Sequence, residues 1–253
     1  MRKRGLVLAG AIIGLLVAVG LYALPRHASP PVPVPVAADQ KMVGLFTSLP
    51  ILWSEQADLR AMLDADDPPH WARAVLARYG AIRALDTLAG LGAASPKLAG
   101  LVLAQPRPLR ADENVALDRW VRNGGRVLVF ADPLLTQDSA FPLGDRRRPQ
   151  DVVLLSPILA RWGLELHFDD AQPSGMREIA GERIAVRLAG ELAPRSGGVD
   201  SRCMIGEAGL VARCRIGGGR AVIVADAALL EPATSAYPQE SALSALLDEA
   251  FAR

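Results

Sequence analysis

The chain alternates short, wholly apolar runs with longer stretches in which apolar residues recur every three or four positions. "LVLA" (101–104), "VLVF" (127–130) and "AVIV" (221–224) contain no polar residue. A strand buried on both faces has this composition, as in a parallel sheet. Strands are therefore predicted over 42–50, 81–85 and 99–106, and in "RVLVFADP" and "RAVIVAD". Helical spacing predicts a helix over 68–80, with Trp71, Val75, Leu76 and Tyr79 on one face and Gly80 as its C-terminal stop. "LRADENVALDRWVRNGG" predicts a second helix, with Asp112 as N-cap and Glu113 in the first turn. Its apolar stripe would be Val115, Leu117, Trp120 and Val121, and Asn123-Gly124-Gly125 would end it.

Further along, 154–168 offers a helix ending at Gly163 and a strand from Leu164 to Phe168. Residues 182–190 alternate as a strand with one solvated face, and 201–219 suggest a hairpin turning near Glu207-Ala208-Gly209. The final helix, 239–253, would turn Leu243, Leu246, Leu247 and Ala250 inward. Strand, helix, glycine stop and strand in succession form βαβ units, which build parallel sheets.

Two segments resemble each other: "GGRVLVFADPLL" (Gly124–Leu135) and "GGRAVIVADAALL" (Gly218–Leu230). In each, a glycine pair releases the chain into a buried strand, and an aspartate, Asp132 or Asp226, arrives where the strand leaves the sheet. Open α/β sheets bind ligands at that edge. An aspartate there can equally cap the following turn through backbone hydrogen bonds. Both readings stay open.

The N-terminus sets the compartment. Arg2-Lys3-Arg4 precedes twenty uncharged residues, Gly5 to Leu24, roughly 30 Å of helix and enough to cross a bilayer core. The basic cluster predicts a cytoplasmic N-terminus and a translocated body. A cleaved signal peptide is the competing reading, but cleavage after Ala28 would put Arg26 at a position that requires a small residue. An uncleaved anchor is favoured, placing the body in the periplasm on a bacterial inner membrane. Residues 25–40, rich in proline, would form an extended stalk.

Charge and composition narrow the function. The chain is 51% hydrophobic and 22% charged, as a globular protein is. From Gly5 onward 25 basic and 27 acidic residues sum to −2. A near-neutral body without a basic stripe argues against a nucleic-acid partner. The three histidines, His27, His70 and His167, are scattered. No zinc spacing, nucleophile-elbow motif or phosphate-binding loop occurs, so no metal, cofactor or catalytic residue is expected. The pairs Asp66-Asp67 and Asp169-Asp170 fit solvated loop ends.

Two features remain. Cys203 and Cys214 would face each other across the predicted hairpin, within disulfide range in an oxidising compartment. The loop 135–153 leaves the first Ala-Asp strand carrying Asp145, Arg146, Arg147, Arg148, Gln150 and Asp151. Its arginines would either clasp an anionic group or a partner's acidic face, or pin their own loop through Asp145 and Asp151.

The segments "GLFTSLPILWSE", "LVLAQPRPLRADENVALDRWVRNGGRVLVFADPLL", "LLSPILARWGLEL" and "GGGRAVIVADAALLE" resemble the GldG-like family of extracytoplasmic accessory proteins of ABC-type transport. The resemblance covers most of residues 41–232. It implies a membrane anchor and a fold related to class I glutamine amidotransferases. A working amidotransferase would need a cysteine at a strand-to-helix elbow with histidine and glutamate partners; both cysteines here lie in the hairpin. The resemblance thus implies the fold without the catalytic apparatus, and permease or ATPase subunits of a transporter as partners.

The combined expectation is an anchored α/β body over 41–253, with a flavodoxin-like or amidotransferase-like, mostly parallel sheet, helices on both faces and a hairpin-rich C-terminal part. Its role would be non-enzymatic binding or assembly beside an ABC-type transporter, in polysaccharide export or gliding-type functions, through Asp132, Asp226 and the loop at Asp145–Arg148 and Gln150. The rivals are an envelope hydrolase acting on a glycan through Asp132, Asp226 or Asp145, and a sensor of a small anion at the arginine loop.

Overall fold

The structure is a computed structural model that describes residues 41–55, 69–92, 98–172, 174–232 and 237–252. The expected basic end (1–4), anchor (5–24) and stalk (25–40), and Asp66-Asp67, lie outside the described residues. Among those described, no helix is long and apolar enough to cross a membrane.

The predicted apolar runs become the centre of a seven-stranded sheet. Its strands are β1 (Met42–Thr47), β2 (Ala81–Ala84), β3 (Leu98–Ala104), β4 (Arg126–Phe130), β9 (Ser201–Gly206), β10 (Val211–Ile216) and β11 (Gly219–Val224), with β5 to β8 forming two side ribbons. The order is β2-β1-β3-β4-β11-β10-β9. The first five are mutually parallel, β10 adds antiparallel to β11, and β9 adds antiparallel to β10. The apolar runs fill the middle because only central strands are covered on both faces: Leu101, Leu103, Val127, Leu128 and Ala221 through Val224 are all fully buried.

Helices lie on both faces. On one, α4 (Tyr237–Phe251) crosses the middle of the sheet. Glu249 there accepts from the Arg213 guanidinium of β10, and the Phe251 carbonyl accepts from Arg126 of β4. The inward residues Leu243, Leu246, Leu247 and Ala250 are buried as expected. Helix α1 (Trp71–Ala77) packs beside it, with the Tyr79 hydroxyl bonded to Asp248 at 2.8 Å. On the other face lie α2 (Ala111–Arg122) and α3 (Ser156–Arg161). Asp118 joins these two by accepting from Arg122, Arg161 and the Trp162 indole.

The glycine pairs of the repeated segments have a shared steric cause. A Cβ at Gly219 would overlap the carbonyl oxygens of Val121 and Gly125, and one at Gly125 would overlap the Trp120 ring. The Gly218 N–H donates to the Arg122 carbonyl at 2.9 Å. Both pairs therefore pack against the end of α2, where β4 and β11 enter the sheet side by side. Gly124, at φ +99, also needs a left-handed backbone.

Four expectations are corrected. The N-cap of α2 is Arg110, not Asp112, because Glu113 reaches back to the Arg110 N–H at 2.9 Å and fixes the start two residues earlier. Val115 is 55% exposed and not part of the stripe, since it lies about 200° around the helix from Leu117. The inward face is Glu113, Ala116, Leu117 and Val121. Helix α1 ends at Arg78 rather than Gly80.

The fourth concerns the C-terminal half. Alternation correctly indicates β7 (Glu182–Val186), whose Ile184 and Val186 are buried while Arg183 and Ala185 are exposed. Its partner β6 (Gly175–Ile179), and the ribbon of β5 (Leu164–His167) with β8 (Glu191–Pro194), include two strands that the apolar pattern did not predict. The Cys203–Cys214 disulfide is formed, with the two residues directly opposite in the β9–β10 register and their Cα atoms 4.0 Å apart.

Candidate functional site

The parallel strands β1, β3, β4 and β11 all end at the same edge of the sheet, so the loops that follow them meet there. The chain leaves β3 at Gln105, which is fully buried and held at φ +45. This is a strained turn at the end of the strand, since a non-glycine residue seldom adopts that φ, and α2 begins only at Ala111. A glutamine occupies this turn, and its side chain is spent on structure.

Gln105 works as a clamp. Its Oε1 accepts from the Asp132 N–H at 2.9 Å, and its Nε2 donates to the carbonyls of Asp132 and Gln150 at 3.0 and 2.9 Å. Its own carbonyl accepts from the Ser48 hydroxyl, which in turn accepts from the Gln150 N–H at 2.9 Å. The loop after β4 is thereby drawn back across the ends of β1 and β3. Two further bonds tie it down: Val153 N–H to the Asp132 carbonyl at 3.1 Å, and Leu135 N–H to the Asp151 carbonyl at 2.8 Å. Glu55 adds two more, accepting from the Ser139 hydroxyl and the Ala140 N–H, both at 2.8 Å. In sheets of this strand order, the gap between β1 and β3 is where ligands enter. The protein's own loop occupies it.

Asp132 and Asp226 emerge from β4 and β11 at equivalent levels, because Phe130 and Val224 are partners in register. Each is only 1% exposed. Asp132 accepts from the N–H groups of Leu134 and Ala227, and Asp226 from those of Ala228 and Arg187. All four oxygens are thus engaged in holding loops. Burial raises the Asp132 carboxyl to about 6. Burial, reinforced by the nearby Asp132 charge, raises Asp226 to about 8. Both carboxyls are therefore held above the usual carboxylate range, Asp226 further than Asp132. Glu231 lies close by and is also raised by burial, against the pull of the Arg187 guanidinium at 3.5 Å.

The arginine cluster divides. Arg147 makes a two-pronged pair with Asp145, at 3.1 and 2.7 Å, and lies 4.1 Å over the Phe141 ring. Asp145 also caps the Arg147 N–H, and its carboxyl is lowered to about 2, chiefly by the Arg147 guanidinium. Arg148 holds Asp151 at 3.1 Å and donates to the Phe141 carbonyl at 3.0 Å. Both pin their own loop. Arg146 is exposed and has no ion pair among the described residues, and Leu143 close to it in the loop is 80% exposed. Gln150 contributes its backbone to the clamp.

The structure thus brings Asp132, Asp226 and the backbone of Gln150 to one edge, and places Asp145 to Arg148 on the outer turn of the loop above it. Sequence reasoning missed Gln105, although a lone amide between a wholly apolar strand and Pro106 was a signal of buried hydrogen bonding. His167 lies on β5, where it pairs with Glu165 at 2.9 Å. Among the described residues, no group of three or more His, Cys, Asp or Glu side chains is placed to hold a metal.

Fold and site together define an α/β protein whose usual ligand edge is closed by its own chain. Residues 71–174, somewhat under half of the sequence, match the family described as ABC-type uncharacterized transport system. No curated protein matches the chain. Among solved structures, the exo-beta-1,4-mannosidase Op5Man5 from Opitutaceae bacterium strain TAV5 is similar at 14% identity and a TM-score of 0.47, over 83% of this chain and 36% of that one. A beta-galactosidase from the haloarchaeon Halorubrum lacusprofundi is similar at 17% identity and a TM-score of 0.47, over 85% and 31%. The chain spans about a third of the length of these two enzymes. A ThuA-like protein from Bacteroides uniformis is similar at 10% identity and a TM-score of 0.42, over 88% and 94%.

Proposed function

We propose that this chain is a membrane-anchored, non-enzymatic auxiliary component of an ABC-type transport system. Its flavodoxin-like or amidotransferase-like body stands on the extracytoplasmic side, and the outer turn of the loop 135–153 docks a permease of that system. The match of residues 71–174 supports the transport setting. The parallel strand order β2-β1-β3-β4-β11 supports the fold reading.

One observation carries the non-enzymatic part: the crevice at the ends of β1 and β3 is filled by a loop whose backbone is clamped by buried Gln105. A substrate would have to break that clamp before meeting a reactive group. The same clamp gives the loop a fixed shape, and a rigid surface binds at lower entropic cost than a mobile one. Arg146, left over when Arg147 and Arg148 pair internally, then offers its guanidinium to an acidic patch on the partner.

The test is affinity purification of the full tagged chain from gently solubilised membranes, comparing wild type with Arg146→Glu. Arg147 and Arg148 are left intact because they hold the loop. A permease should accompany the wild type and be lost from the variant. Equal recovery from both, or no permease with either, would refute the reading.

A further inference from the structure

A second feature lies on the opposite side of the sheet from α4. A right-handed crossover between parallel strands usually carries a helix that covers the sheet. The connection from β2 to β3 departs from this: its described part, Leu85–Gly92, contains only turns. Among the described residues, no helix of this connection covers the sheet face over β1 and β2. Gly44 of β1 shares this face with Arg83 of β2, its register partner. The side chains of Leu85, Leu98 and Leu101 close over Gly44, 2.9 to 3.0 Å from where its Cβ would stand. The result is a groove of about 700 Å³ between β2 and α2, lined by Arg83, Leu85, Leu98, Arg119, Trp120 and Asn123 among others. Ligand sites commonly span about 300–1,000 Å³.

The polar groups of this groove are unbalanced. On the α2 side of the molecule Arg107, Arg110, Arg122 and Arg161 each hold a carboxylate. The guanidinium groups of Arg83 and Arg119, the indole N–H of Trp120 and the amide of Asn123 have no hydrogen-bond partner among the described residues. Asp86 is the one acidic side chain among the described lining residues. Donors therefore exceed acceptors, above a floor of leucines and beside an indole. Two guanidiniums favour a carboxylate, and the leucine and indole surfaces favour a flat apolar body attached to it.

We infer that this groove binds small carboxylates with a planar apolar body, the charge held by Arg83 and Arg119 and the body lying along Trp120 and Leu98. The site is independent of the loop 135–153, at which the docking surface was placed.

Benzoate is the simplest member of that class, and benzamide is its neutral counterpart of nearly the same shape. Full-length protein in detergent is titrated with each by calorimetry, and the indole resonance of Trp120, assigned with Trp120→Phe, is followed in parallel. Benzoate should bind at least tenfold more tightly than benzamide and move the Trp120 resonance. Arg83→Gln/Arg119→Gln should lose about tenfold for benzoate and little for benzamide. The single variant Arg119→Gln, changed at an exposed position, should lose part of the affinity with the fold intact. Equal affinity for the two compounds, an unmoved Trp120 resonance, no benzoate binding at millimolar concentration, or unchanged affinity in the double variant would each overturn the inference.

Discussion

The Asp132 carboxylate crosses from the end of β4 to the N–H of Ala227, 3.1 Å away on the chain leaving β11, so that Asp132 and Asp226 are buried side by side on two adjacent parallel strands. The repeated Ala-Asp ending is thus a joint between neighbouring strands. Each aspartate caps its own turn, and Asp132 also ties the two turns together.

This joint makes stability depend on pH. Asp226 is raised to about 8, so the folded protein keeps a proton that the unfolded chain releases near pH 4. The stabilising effect of that proton is complete below the unfolded value and is lost as pH rises through the folded one. His70, lowered by burial, acts near and below neutrality, which leaves pH 7 to 9 as the informative window. Urea unfolding should show stability falling by on the order of 1–2 kcal/mol across that window. Asp226→Asn, which cannot ionise, should flatten the fall.

Gln105→Ala should strip two backbone groups of their partners, the buried Asp132 N–H and the partly buried Gln150 carbonyl, while the Asp132 carbonyl keeps the Val153 N–H. An unsatisfied buried group costs about 1–3 kcal/mol, so a total loss of about 2 kcal/mol or more is expected by urea denaturation. Limited proteolysis should cut first between Leu135 and Val153. A variant as resistant as wild type would show that the loop is held by something other than the clamp.

Glu113 is fully buried at the start of α2, where it accepts from Arg107, Thr87 and the N–H groups of Leu88 and Arg110. Led by the Arg107 guanidinium, these partners hold its carboxyl well below the usual carboxylate range. Its contribution is therefore present above about pH 4.5 and lost on acidification. Glu113→Ala leaves the N–H groups of Leu88 and Arg110 without this acceptor and should cost about 2–3 kcal/mol, measured by thermal and urea unfolding at neutral pH.

The disulfide joins the edge strand β9 to β10 across 11 residues of sequence. Closing a loop of that length contributes about 2–3 kcal/mol. Cys203→Ala/Cys214→Ala should lose that amount in urea without a change in the far-ultraviolet circular dichroism spectrum, since the other strands keep their partners.

Gly219 tests the architectural reading of the glycine pairs. A Cβ there would meet the carbonyl oxygens of Val121 and Gly125, both backbone and unable to swing aside. Gly219→Ala should abolish or severely weaken folding, whereas Gly175→Ala, with open space around it and no left-handed backbone, should stay within about 1 kcal/mol.

Much of this architecture was legible because central strands must be wholly apolar, and Val127–Phe130 and Ala221–Val224 are. The facing cysteines were legible from hairpin symmetry about Ala208. What stayed hidden was what periodicity does not encode. Val115 looks like a core residue until Glu113, drawn inward by Arg107, fixes the rotation of α2. Strand β6 is almost fully exposed, so it leaves little apolar imprint. The site was half legible: the ligand edge and its aspartates follow from the strand pattern. The division of labour among Arg146, Arg147 and Arg148 depends on where Asp145, Asp151 and Phe141 fall in three dimensions. Gln105 escaped because its partners are backbone atoms 27 and 45 residues away.

The most direct test of the central claim, that the protein's own loop closes the ligand edge, is amide hydrogen exchange of the full chain. The N–H groups of Gln150 and Val153, bonded to Ser48 and the Asp132 carbonyl, should exchange nearly as slowly as those of β4, opening only with global unfolding. Exchange as fast as in an exposed loop would mean that the edge stands open, and the account of a closed, non-catalytic docking face would fail.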